Sequence, residues 1–207
     1  MKDREYRLII TLKSDLCVGS GYSYAGIIDS DICYDALGLP YIPARRLKGC
    51  LREAAELIGL SDSEICDLFG AGGASGAEGI FIENAYVDHY NELRNDIARS
   101  GKNFRTYITP QSILEQFTAV KAQTRIGKNG AAEGNSLRFT RTVNHYSPLN
   151  PQEEMRFTAR VAFPDRLGEG RKAALEDTVS ALRHIGMNRD RGLGSVRCTL
   201  ELGAEKP

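Results

Sequence analysis

No stretch of the chain approaches the roughly 18 consecutive apolar residues of a membrane-spanning helix, so no span is expected among its 207 residues. The charged start Met1-Lys2-Asp3-Arg4-Glu5-Tyr6 runs straight into a strand pattern without the apolar stretch of an export signal, and the expected location is cytoplasmic. Net charge is also missing. Twenty-seven basic residues balance 27 acidic ones, which argues against a polycation that coats nucleic acid over its whole surface. The five cysteines (Cys17, Cys33, Cys50, Cys66, Cys198) are odd in number, scattered, and contain no C-x-x-C pair. That spacing indicates neither a zinc site nor a disulfide framework, and free thiols are expected. A hydrophobic content of 42% is enough for a real core, and the length suits one domain over 1–207.

The distribution of charge says more than its sum. Residues 53–92 hold nine acids and no Lys or Arg, whereas residues 41–52 hold Arg45, Arg46, Lys48 and Arg52 without an acid. Residues 121–146 carry Lys121, Arg125, Lys128, Arg138 and Arg141 against Glu133 alone, and 183–197 carry four arginines against Asp190. If the basic blocks converge, a neutral protein has a positive groove.

Tyr6, Leu8, Ile10 and Leu12 alternate with polar neighbours and predict a half-buried first strand. Pro43 suits the start of a helix reaching about Ile58, with the stripe Leu47, Leu51, Ala54, Ala55 and Ile58. Ser61 and Glu64 make a capping box for a short helix to Phe69. Residues 80–87 read as a second strand and 155–163 as a third. A second helix is expected over 171–185, and a last strand over 195–202 with Val196, Cys198, Leu200 and Leu202 inward. Residues 88–151 break this regularity and read as an insertion, an extended hairpin or thumb-like arm following a polar helical piece near 91–99. The order β-α-β, insertion, β-α-β predicts an α+β fold, a ferredoxin-like (RRM-like) βαββαβ core.

Two places point to an anionic ligand. Arg45 and Arg46 stand in the first turn of a helix, where cations oppose the dipole at up to about 1 kcal/mol each, so they work against local stability. The loop Gly186-Met187-Asn188-Arg189-Asp190-Arg191-Gly192-Leu193-Gly194 joins three glycines with two arginines, a pattern suited to phosphate.

Residues 39–52, Leu-Pro-Tyr-Ile-Pro-Ala-Arg-Arg-Leu-Lys-Gly-Cys-Leu-Arg, resemble the helix signature of the CRISPR-associated RAMP superfamily, usually Ile-Pro-Gly-Ser-Ser-Leu-Lys-Gly with a Leu/Met-Arg-like end. The 186–194 loop is similar to that family's glycine-rich loop before its last strand. Phe69-Gly70 before a Gly-rich linker and residues 80–85 also match, as does the arm around 134–143. Ala44-Arg45-Arg46 in place of Gly-Ser-Ser makes the turn more basic and less flexible, and in this the chain looks closest to type III-D proteins. The resemblance implies a guide-RNA-binding subunit of a type III CRISPR antiviral effector complex, with guide RNA, target RNA and the other subunits as partners. By that resemblance Arg45, Arg46, Lys48, Arg52, Arg189, Arg191, Gly192 and Gly194 grip the guide backbone. A thumb over 121–146, with Arg125, Lys128, Arg138 and Arg141, wedges between bases. Tyr22, Tyr24, Phe139 and Tyr146 are stacking candidates. Gly26-Ile27-Ile28-Asp29-Ser30 is similar to a segment whose aspartate cleaves target RNA in some members, which would make Asp29 catalytic and a ligand of Mg²⁺ or another divalent metal. Asp31 and Asp35 would share its side of an extended stretch. Two alternatives stand beside this: histidine-based cleavage through His89, His145 or His184, and a non-catalytic assembly or capping subunit that uses the acidic 53–92 block against a basic neighbour.

Overall fold

A computed structural model describes residues 5–23, 27–70, 79–103, 107–162 and 169–203. In chain order its elements are β1 (Glu5–Leu12), β2 (Tyr41–Ile42), α1 (Ala44–Leu57), α2 (Asp62–Phe69), β3 (Phe81–Ile82), β4 (Ala85–Val87), α3 (Tyr90–Asn103), α4 (Pro110–Phe117), β5 (Thr118–Gln123), β6 (Arg138–Val143), β7 (Arg156–Ala162), α5 (Glu169–Ala181) and β8 (Val196–Leu202). The main sheet runs β2-β4-β7-β1-β8, with β3 also on β7, and every pairing is antiparallel. With β3 and β4 as one interrupted strand, the core strands lie in the order last, first, third, second. This is the split βαβ arrangement of an α+β ferredoxin-like fold.

Alternation drives the burial. Tyr6, Leu8, Ile10 and Leu12 on β1 and Phe157, Ala159 and Val161 on β7 face the core, where the stripe Leu47, Leu51, Ala54 and Ala55 of α1 meets them. Each fully buried Leu or Ile contributes about 1.5–3 kcal/mol. The helix α1 lies against α2 and α5, and α5 lies against β8. The other sheet face pairs its own charges: Arg160 bridges Glu5 and Glu83, Arg156 meets Asp88 at 2.8 Å, and Arg7 meets Glu201 at 3.4 Å.

The capping box of α2 forms in both directions between Ser61 and Glu64. Elsewhere the structure departs from the pattern. The expected second strand is broken at Glu83 and Asn84 because the Asn84 side chain turns to accept the Ala44 amide at 2.8 Å, capping α1 from outside. The helix α4 was not anticipated. Pro110 starts it and Thr109 caps it reciprocally with Ser112. The helix α5 ends at Ala181, because residues 183–185 pair instead with 194–196: Val196 N donates to Arg183 O and Ile185 N to Gly194 O, both at 2.8 Å. Leu202 is exposed at the end of an edge strand, not inward. Phe163 lies outside the described residues.

The insertion carries an arm. Strands β5 and β6 pair from Thr118↔Val143 to Gln123↔Arg138, and an Ile126↔Ala132 bridge extends them. The loop after β1 stitches down the arm's base through Leu16↔Val143 and Ser30↔Thr140.

Candidate nucleic-acid interface

The loop after β1, the start of α1, the glycine-rich loop and the arm meet along one surface. Close backbone approach explains two of the glycines. A Cβ on Gly186 would stand 2.4 Å from Cys17 O, and one on Gly194 only 1.9 Å from Ile185 O, with φ at +89° and +72°. The neck is held by Met187 N donating to Cys17 O and Gly194 N to Asp15 O, each at 2.8 Å. Gly194 is therefore buried with its amide already committed inside the fold, whereas Gly192 is exposed, left-handed at φ +78°, and has open space where a Cβ would be. Between Gly186 and Gly192, Arg189–Arg191 forms a 3-10 turn.

The cations divide into those satisfied by the fold and those facing outward. Nη1 of Arg189 lies 2.9 Å from both carboxylate oxygens of Glu53, fastening the loop to α1. Nζ of Lys48 donates to Ile80 O at 3.3 Å; burial, helped by the Arg52 charge, pushes its pKa down. Arg52 pairs loosely with Glu56 at 3.7 Å. Arg45 and Arg46 are exposed at the start of α1, Arg46 donating to Gly19 O at 3.3 Å.

Arg141 corrects the sequence expectation. It was expected to contact RNA, but it is 7% exposed and donates through Nε to Asp31 Oδ1 at 3.0 Å and through Nη1 to Thr118 Oγ1 at 3.3 Å. Asp31, 2% exposed, also accepts the Ile32 amide. The pair locks the arm's base to the loop after β1 and offers nothing at the surface.

Arg138 and Arg125 remain on the arm's surface, and Lys128 is exposed near its turn. Arg125 and Arg138 line a cleft of about 600 Å³ with Arg191 of the 3-10 turn, Gln123, Asn135 and Glu133, the last paired with Arg125 at 3.5 Å. This cleft joins two basic blocks that are far apart in sequence. Its amide and hydroxyl lining carried no signal in the linear pattern.

Asp15 lies at the arm's base, where Lys121 Nζ and His145 Nδ1 each approach a different carboxylate oxygen at 2.6 Å. Burial works to raise its pKa, but the hydrogen bonds from Lys121 and His145 outweigh it and hold the carboxyl below its ordinary value. Asp29 is exposed nearby. Its Oδ2 accepts Phe139 N at 2.7 Å and its own amide donates to Phe139 O at 2.8 Å, so the carboxylate is pinned to the arm. Asp29, Asp31 and Asp35 do not act as a set: Asp31 is buried on Arg141, and Asp35 accepts the Leu37 and Leu39 amides and the Tyr90 hydroxyl. Among the described residues no three His, Cys, Asp or Glu side chains group closely enough to hold a metal ion.

The other candidates disperse. His89 pairs with Glu92 at 3.0 Å and His184 is exposed beside the neck. Tyr22 and Tyr146 are exposed and Phe139 is half-buried, while Tyr24 lies outside the described residues. Among the described residues no helix is long and apolar enough to cross a membrane.

Comparison with known proteins agrees with this architecture. A chain of the Type III-B Cmr-beta bound to cognate target RNA, solved by cryo-EM, superposes with a TM-score of 0.66 at 13% identity, covering 95% of this chain and 96% of that one. A chain of Cmr-beta in the apo state gives 0.68 at 12% identity over 95% and 97%. Oligomeric Cmr4 from Pyrococcus furiosus gives 0.55 at 12% identity over 98% and 100%. No curated protein sequence matches. The family model of the RAMP superfamily matches residues 9–197, and the chain belongs to that superfamily.

Proposed function

We propose that this chain is an RNA-binding subunit of a type III CRISPR effector ribonucleoprotein, holding the guide RNA where the arm meets the glycine-rich loop. The carrying observation is the cleft of about 600 Å³ in which Arg125 and Arg138 of the arm face Arg191. Arginine forks suit phosphate, and single-stranded RNA favours a cationic groove with stacking platforms beside it. The exposed Arg45 and Arg46 extend the positive surface along α1. Family membership and the shared fold of the RNA-bound Cmr-beta chain support the same reading.

Target cleavage is the finer part of the proposal and rests on Asp29. Mg²⁺ keeps several waters and binds through one or two carboxylates together with substrate phosphates, a requirement that one exposed aspartate satisfies. A cation held there would polarise the phosphoryl oxygen of the scissile linkage. The chain's own contribution is positional. The Phe139 amide fixes one carboxylate oxygen against the arm, so the position of Asp29 depends on where the arm lies.

A separate cleft of about 430 Å³, where Asp88, Glu92, Asp96, Glu153 and Glu154 outnumber Arg156 and His89, favours a second role in docking basic sister subunits. Incubation with labelled single-stranded RNA and Mg²⁺, following both affinity and RNA length, tests these readings together. We expect binding that weakens with salt, and shortening of the RNA that disappears in Asp29→Ala. No binding at low salt, alongside nuclease-resistant co-purification with sister subunits, would replace the first role with the second.

A further inference from the structure

Beside the start of α1, the edge of the sheet carries a row of tyrosines. The β2–β4 register sets Tyr41 opposite Tyr86, their ring centroids 5.8 Å apart. Tyr86 stacks on Tyr90 at 4.3 Å and 26°, and the Tyr90 hydroxyl donates to Asp35 Oδ2 at 2.8 Å, anchoring the far end. The near end opens into a cleft of about 320 Å³ where Tyr41 is joined by Tyr22 and Tyr34, with Ser20, Asp31, Ile32 and Cys33 completing the lining; the Asp31 carboxylate is held by Arg141. Its walls are tied together by backbone: Ser20 N donates to Asp31 O, Asp31 N to Tyr22 O and Tyr41 N to Cys33 O. The cleft is therefore built in advance of any ligand, and its size suits a single ring system rather than a duplex.

A cation stands beside the cleft: Arg46 reaches back from α1 to donate to Gly19 O at 3.3 Å, next to Ser20 of the lining. An aromatic row with one open end accepts another flat π system, and a cation at its mouth favours a ring that arrives with an anion attached. A nucleotide has both parts. A protein aromatic would use the rings and leave Arg46 without a counter-charge.

We propose that this cleft takes one unpaired nucleobase of the bound RNA, which continues the Tyr90–Tyr86–Tyr41 row under Tyr22 while its phosphate meets Arg46. The site is distinct from the arginine cleft beneath the arm. The inference rests on the RNA-binding reading and adds that binding depends on bases as well as backbone.

The test compares a short single-stranded RNA with a wholly abasic strand of the same length, using the full chain and the variants Tyr22→Ala and Tyr22→Phe. Tyr22 is 74% exposed, so neither substitution threatens the core. The intact RNA should bind more tightly than the abasic strand. That ratio should fall about tenfold in Tyr22→Ala, a typical effect of losing one base–aromatic stack, and be retained in Tyr22→Phe. A 2-aminopurine in the intact strand should be quenched on binding to the wild-type chain and less so on binding to Tyr22→Ala. An unchanged ratio in Tyr22→Ala overturns the inference. Salt-dependent binding indifferent to bases also overturns it, leaving the tyrosines to a protein contact and the RNA-binding reading intact. No RNA binding at all removes both.

Discussion

Arg138 and Arg141 stand three residues apart on β6 and belong to different regions of the molecule. Arg141 points into the arm's base, where Asp31, Thr118 and the end of α4 close around it; Arg138 points into the open cleft shared with Arg125 and Arg191. An odd spacing on a strand reverses the face, so one basic block supplies both a structural ion pair and a ligand-facing cation. A buried arginine must find a carboxylate within the fold, whereas the surface arginines retain the capacity to meet an external anion. Charge counting along the chain does not separate these roles; burial does.

The largest expected effect breaks the closed half of this contrast. Arg141→Ala leaves Asp31 buried without its partner and should lower unfolding stability by about 3–5 kcal/mol, measured by urea denaturation. A loss below about 1 kcal/mol would mean the pair behaves like a surface ion pair. Next comes the open half. Arg138→Glu should leave stability within about 0.5 kcal/mol while weakening single-stranded RNA binding at least tenfold, or about 1.4 kcal/mol.

The smallest effect concerns Asp15, which lies between the two cases, half-enclosed with Lys121 and His145. Because its folded pKa lies below the ordinary 3.8, its contribution is present above that value and is lost as pH falls through the folded pKa. Asp15→Asn should therefore flatten the acid side of the stability–pH curve below about pH 4 and leave its neutral side unchanged in slope. An unaltered acid limb would remove Asp15 from the arm's anchoring.

Much of the scaffold was legible in the sequence because it rests on local periodicity. The alternation of β1, β7 and most of β8, the stripe of α1 and the Ser61–Glu64 box each describe a neighbourhood of a few residues. Where the reading failed, a partner distant in sequence decided the outcome. Asp31 and Arg141 are 110 residues apart, and Asn84 leaves its strand to cap a helix that begins 40 residues earlier. The α4 start is written locally in Thr109-Pro110-Gln111-Ser112, but it stands inside an insertion that otherwise has no regular period. In the candidate site, the basic blocks and the glycine loop were legible, yet their division into satisfied and outward-facing cations was not. Arg189 and Arg191 are equivalent in the linear pattern, and Glu53 of α1, 136 residues away, is what separates them. Of the tyrosine cleft only Tyr22 was legible as a stacking candidate; Tyr41 and Tyr86 were not, because their meeting depends on strands of two and three residues pairing at the sheet edge.

The most direct test of the central claim measures RNA affinity of the wild-type chain and Arg191→Glu between about 50 and 200 mM salt. The account predicts that wild-type affinity falls steeply with salt, and that Arg191→Glu binds more weakly with a slope shallower by about one. Affinity indifferent to salt, or identical in the two proteins, would contradict an RNA track through the arginine cleft.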